Sequence, residues 1–122
     1  VTMERVEKAE TPKPNLTNSH TFHFEWIHPI TGKEYSGNFT IHRPTVRERI
    51  RIGVIEAQEL GGLLNVDVFS ATLANIVATF DIIIDSSPDW FKPREIHDVE
   101  VLQAVFEKYL DYLQQFRTSD KK

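Results

Sequence analysis

Five histidines, at positions 20, 23, 28, 42 and 97, and five carboxylates, Asp81, Asp85, Asp89, Glu95 and Asp98, are the side chains of this 122-residue chain best suited to ligate a metal or move a proton. If Thr31-Gly32 forms a two-residue turn, His23 comes near Thr40 and diagonally across from His42, with Glu25 close by, which is a donor set zinc accepts. The spacing argues otherwise, because no His-Glu-x-x-His or comparable run is present. Solvated strand histidines, with no metal and no cofactor, are the expectation. Acid–base catalysis needs carboxylates held in a pocket with shifted pKa values. The five carboxylates instead fall where caps and turns ordinarily use such residues. There is no GxSxG, no glycine loop to cradle phosphate, no local Ser-His-Asp context, and no cysteine to serve as a nucleophile or zinc thiolate. The sequence therefore predicts a protein that is not an enzyme.

Recognition of an anion is the other chemistry on offer. Arg43, Arg47, Arg49 and Arg51 crowd the start of a helix, where the macrodipole disfavours cations by a few tenths of a kcal/mol each, and only Glu48 offsets them locally. The plain expectation is a solvated face paired with acids of the last helix. The sharper one is an anionic partner, either an acidic protein surface or nucleic acid. No aromatic residues interleave the arginines to stack on bases, and a net charge of −4 lacks a nucleic-acid footprint. Nucleic acid is thus the least expected partner.

Hydrophobic content of 40% suffices for one core in one domain. In TFHFEWIHPITGKEYSGNFTIH, Phe22, Phe24 and Trp26 share one face, and Tyr35, Phe39 and Ile41 share a face on the return. The alternation predicts a β-hairpin over 21–42 with Thr31-Gly32 at its tip. Such a hairpin is marginal alone, so helices must cover its aromatic face. In RPTVRERIRIGVIEAQELGG, Thr45 and Glu48 are placed as a capping box, and Val46, Ile50, Val54, Ala57 and Leu60 recur at helical spacing. A helix over about 45–60, ended by Gly61-Gly62, is predicted. Gly53 inside it costs about 1 kcal/mol relative to Ala, and a close contact with another backbone is the expected reason.

The segment NVDVFSATLANIVATFDIIID carries Phe69, Leu73, Ile76, Phe80 and Ile83 at helical spacing, with no charge between Asp67 and Asp81. It predicts a helix over 67–84 buried on several sides, central to the core, with a homo-oligomer interface as the alternative. That stretch is too polar for the roughly 20 apolar residues that spanning a membrane requires. DVEVLQAVFEKYLDYLQQF predicts a last helix over 98–116, capped by Asp98, with Val99, Leu102, Val105, Phe106, Tyr109, Leu110, Leu113 and Phe116 in one stripe. Between these helices, SSPDWFKPREIHD is stiffened by Pro88 and Pro93. Trp90 and Phe91 are expected to fold back and plug the core, the alternative being a partner anchor.

The expected fold class is α+β, a hairpin packed on a three-helix unit over 21–117, with a disordered arm over 1–20 and a frayed tail over 118–122. The polar N-terminus lacks the basic start and apolar run of a signal peptide. The leading Val reads as a literally translated GTG start codon, which points to a bacterial or phage gene.

Taken together, the hairpin ending GNFTIHRPT, the run RERIRIGVIEAQELGG, the uncharged FSATLANIVATFDIII, the turn PDWF and the final DVEVLQAVFEKYLDYLQQF resemble the small tail assembly chaperones of long-tailed bacteriophages. The resemblance covers about residues 22 to 117 and is one of hydrophobic and turn positions. It implies a non-enzymatic role in the cytoplasm of the bacterial host: coating the tape measure protein while the tail tube protein assembles, and leaving before the virion matures. A small structural virion protein, such as a tail completion or connector subunit, shows a comparable mix of hairpin and helices and stays as the alternative. A nucleic-acid-binding module is the lower one. The candidate partner-binding residues come from surface reasoning: Phe69, Leu73 and Ile76 on the uncharged helix, Trp90 and Phe91 in the turn, and Arg43, Arg47 and Arg51 in the basic cluster.

Overall fold

The computed structural model of the chain describes residues 16–63 and 65–117. Of the predicted arm, residues 1–15 lie outside the described residues, as does the predicted tail over 118–122. Residues 16–20 belong to the domain and not to an arm. Leu16 packs against the core, the Tyr112 hydroxyl donates to the Thr17 carbonyl, and Ser19 opens strand β1 (Ser19–Ile27).

β1 pairs antiparallel with β2 (Glu34–His42), setting Phe22 opposite Phe39 and Trp26 opposite Tyr35. The predicted two-residue turn at Thr31-Gly32 does not form. Six residues, 28–33, separate the strands, and His23 faces Asn38 and not Thr40. Pro29 is the reason: it has no N–H to give a ladder, so the strand must end before it. The His28 ring then organises the loop, its Nδ1 accepting from the backbone N–H groups of Ile30 and Thr31, both at 3.1 Å. The register differs from the predicted one by two residues, so every side chain keeps its face.

The fold is α+β. After the hairpin come α1 (Val46–Glu59) and α2 (Val68–Ile83), then a third strand that the sequence reading missed, β3 (Ile84–Ser86), a 3-10 turn at Pro93–Glu95, and α3 (Val99–Gln114). β3 pairs antiparallel with β2, giving a sheet of order β1-β2-β3. α2 passes into β3 with no intervening residue, and the N–H of Ile84 still donates to the Phe80 carbonyl.

The core lies between the aromatic face of the sheet, the C-terminal half of α2 and the inner face of α3. Phe39, Ile41, Ile83, Val101, Val105 and Tyr112 are its most enclosed large side chains. α3 lies against β1, where His20 stacks on Tyr112 with ring centroids 4.8 Å apart. Its buried stripe is displaced from the predicted one: Val101 and Tyr112 are enclosed, whereas Leu110 is exposed. α2 is central only from Ala74 onward, and its first turn, with Val68 and Phe69, is exposed.

α1 packs along α2 through Ile52, its single buried residue. The predicted inward stripe of Val46, Ile50, Val54 and Ala57 faces outward instead. The predicted reason for Gly53 also fails, because a Cβ there would meet nothing within 4 Å.

The starts of α1 and α2 are fixed by side-chain caps. Thr45 and Glu48 form the predicted capping box, with Glu48 N–H donating to Thr45 Oγ1 at 3.1 Å and Thr45 N–H to Glu48 Oε1 at 2.9 Å. Asp67 caps α2 by accepting from the Ser70 N–H at 2.9 Å. Asp98 precedes α3 but its side chain does not cap it; the carboxylate accepts from the Tyr35 hydroxyl instead. The backbone hydrogen bond from Thr45 holds the Glu48 carboxyl below its ordinary value of 4.5, and that from Ser70 holds Asp67 below 3.8. The unfolded chain therefore binds more protons than the folded one as these groups titrate, so their stabilisation is complete above about pH 5 and fades as pH falls through the depressed values. Thermal melts from about pH 6 down to pH 3 are expected to show a falling melting temperature. Thr45→Ala should lower the neutral-pH stability by about 1 kcal/mol, whereas Glu48→Gln, which has no carboxyl to titrate, should flatten part of that slope, and an unaltered slope in Glu48→Gln would count against this assignment.

Candidate functional site

The segment SSPDWFKPREIHD lies against the aromatic face of the sheet. Pro88 reaches over Gly37, and the Phe91 N–H closes a turn by donating to the Pro88 carbonyl at 3.0 Å. Phe91 is buried, with its ring edge-on to Phe39 at 4.9 Å and to Phe80 at 5.2 Å. Trp90 is half-buried, its Nε1 donating to the Ser36 carbonyl at 2.8 Å and its ring edge-on to Tyr35 at 5.1 Å. The pair closes one end of the core, and neither side chain stands free as an anchor.

The other predicted binding residues do not form one patch. Ile76 is 3% exposed and belongs to the core, whereas Phe69 is 54% exposed. Leu73 lies between them in burial, lining a cleft of about 410 Å³ with Leu60, Ala74, Val77 and Ile96. Arg94 seals the rim of that cleft. Its guanidinium binds Asp81 through two bonds of 2.9 and 2.6 Å and Glu59 at 3.0 Å, which holds it charged well above the ordinary arginine range. The ion triad ties the end of α1 to α2 and to the 3-10 turn.

Of the predicted basic cluster, Arg43 is half-buried with its guanidinium 4.0 Å from the Phe116 ring centroid, a cation–π contact. Arg47, Arg49 and Arg51 are exposed on α1, and among the described residues no ion pair joins them to the acids of α3 or to any other carboxylate. The expected pairing with the last helix is thereby corrected. α3 turns its inner face to the sheet and to α2; Arg49 lines a groove with Tyr109, Leu110 and Leu113 of α3 without an ion pair to that helix, and Arg47 and Arg51 stand exposed on α1.

Two histidines, His23 and His42, are engaged on the open face of the sheet, whereas His20 stacks on Tyr112 on the covered face. His23 bridges Asn38 at 2.7 Å and Glu25 at 2.9 Å, and the hydrogen bond with Asn38 is the main cause of a pKa above the ordinary histidine value. His42 lies between Asp85 at 3.0 Å and Glu48 at 3.1 Å, joining β2, β3 and the start of α1. Among the described residues no three His, Asp or Glu side chains converge to hold a metal ion.

The surface that sequence reasoning missed is the outward face of α1, where Val46, Ile50 and Val54 are 77%, 65% and 53% exposed. Leu63, Val68 and Phe69, beyond its C-terminal end, are exposed as well. The signal was present as two apolar stripes in one helix. Ile52 and Ile55 are centred about 150° round the axis from Ile50 and Val54, and one helix can present only one of those faces to α2. No helix among the described residues is long and apolar enough to cross a membrane. No family model, curated protein or solved structure matches the chain.

Proposed function

We propose that the chain is a phage tail assembly chaperone, non-enzymatic and acting in the host cytoplasm, which shields apolar helical segments of a tape measure protein while the tail tube protein assembles. The observation that supports this reading is the outward face of α1. Val46, Ile50 and Val54 form an unpartnered apolar line on a helix already packed on its other side, and an amphipathic helix laid on it would complete the burial. The resemblance over residues 22 to 117 is what points to a tape measure protein as the partner, and the exposed face is what supports binding of a helix.

Co-expression with the tape measure protein of the same phage is expected to move that protein from the pellet to the soluble fraction. Undiminished precipitation beside a folded chain rejects the reading. A subunit that stays in the particle could bury the same face permanently, so mass spectrometry of purified virions decides between the two. A stoichiometric amount of this chain in virions would replace the chaperone by a structural role.

A further inference from the structure

We propose that the outward face of α1 is a docking site for an amphipathic helix whose apolar stripe is bordered by carboxylates. This rests on the function proposed above and adds the chemistry of the occupant. At 100° per residue, Arg47 and Arg51 border the Val46–Ile50–Val54 line on one side and Arg49 borders it on the other. All three are exposed. Of the acids of α1, Glu48 and Glu59 lie across the helix from the line and Glu56 lies two turns beyond Arg49 on its side, and all three are already engaged: Glu48 with Thr45 and His42, Glu56 with Asn75, Glu59 with Arg94. The face is thus an apolar line between unpaired cations in a chain of net charge −4. An occupant that covers the line must sit against those arginines, and Asp or Glu at its own borders supplies the counter-charge.

Gly53 marks the same face independently. It lies at the margin of the line, where a Cβ would meet nothing within 4 Å, so the fold itself gives no reason for a residue that weakens a helix. With Ala57 four residues on, also exposed, it leaves a shallow notch in which a second backbone can approach.

Other occupants fit less well. Pairing with a second copy would gather Arg47, Arg49 and Arg51 of both chains around the seam, and the one α1 carboxylate on that side, Glu56, is already engaged by Asn75. Basic helices that lie on bilayers carry Trp, Phe or Leu on the apolar face, whereas this line is made of β-branched side chains and Ala57. Nucleic acid would leave the apolar line uncovered.

The test uses the intact chain and a fluorescent synthetic helix with Leu along one face and Glu along both borders, beside versions bordered by Gln or by Lys. The Glu peptide is expected to bind roughly tenfold more tightly than the Gln peptide, and the Lys peptide more weakly still. Arg47→Glu combined with Arg51→Glu should abolish the preference for Glu. Folding is kept in that variant because both positions are exposed and an acid at 47, in the first turn, suits the helix dipole, and its melting temperature verifies this. Gly53→Leu, whose Cβ meets nothing within 4 Å and which removes a helix-weakening glycine, should lose the peptide while melting at or above the parent temperature. Equal binding of the three peptides, or binding that survives both variants, overturns the proposal. So does capture of phosphatidylserine vesicles through the same arginines without peptide binding, which assigns the face to a membrane. A dimer that Ile50→Asp dissolves also overturns it, by assigning the face to a second copy. If the charge preference fails while the tape measure protein is still kept soluble, the docking site is wrong and the chaperone stands. The opposite pair of results keeps the site and removes the chaperone.

Discussion

Replacing Phe91 by Ala is expected to cost about 3 to 5 kcal/mol, the range for truncating a large buried aromatic, and so to remove much of the stability a domain of this size has. Phe91 is 6% exposed and fills the space between Phe39 of β2 and Phe80 of α2, so its loss opens a void where sheet and helix meet. Trp90→Ala should cost less, about 2 kcal/mol, because the indole is only partly buried and the exposed Ser36 carbonyl it releases can be hydrated. Thermal melts of the two variants make the comparison. Phe91→Ala is expected to lie well below Trp90→Ala, and Trp90→Ala below the parent. A Trp90→Ala protein that melts as the parent does would turn the indole from a seal into a surface group open to a partner.

Gly37→Ala is expected to be nearly as damaging. A Cβ at that position would stand 2.3 Å from Pro88 Cγ and 2.8 Å from Pro88 Cβ, and the proline ring cannot swing aside as a flexible side chain would. The segment 86–92 would have to lift from the sheet, breaking the bond from Trp90 to Ser36 and drawing Phe91 from the core. About 3 kcal/mol is expected, at the upper end of ordinary overpacking, because the displacement spreads to an aromatic cluster. The second half of the prediction is non-additivity. Pro88→Gly removes the ring, so in that background Gly37→Ala should cost much less, with an interaction energy of about 1 kcal/mol or more. Additive losses in denaturant melts of the four proteins would show that Gly37 is needed for some reason other than the contact with Pro88.

Local chemistry was the legible part of this chain. Thr45 and Glu48 cap α1 as their spacing dictates, and the helices begin and end within a residue or two of their predicted bounds, because caps and glycines act over a few residues. Alternation placed Phe22, Phe24, Trp26, Tyr35, Phe39 and Ile41 together. Those faces survived a wrong register because the pairing is displaced by an even number of residues. Three features depended on tertiary context. The run Ile82-Ile83-Ile84 continues a helical pattern as well as it starts a strand, so β3 could not be told from the end of α2 until β2 was there to pair with it. The two apolar stripes of α1 are equivalent in hydrophobicity, and only contact with α2 chooses Ile52 over Ile50. For the candidate site, the arginines were legible but their setting was not. Their expected partners, the acids of α3, lie on a helix whose placement pattern alone does not give.

The direct passage from α2 into β3 governs where the chain tolerates a change of length. Ile83 is the last helical residue and Ile84 already pairs with Ile41. One residue inserted there would either turn the buried set of Ile76, Phe80 and Ile83 by 100° about the helix axis, or exchange the two faces of β3. Neither outcome is compatible with the core. Gly61 and Gly62, in contrast, follow α1 in an exposed turn, with φ of 63° and 77° that suit a reversal of chain direction. Insertions and deletions are therefore better accommodated in that turn and in the loop around Pro29, while the junction at 83 and 84 locks helix phase to strand phase.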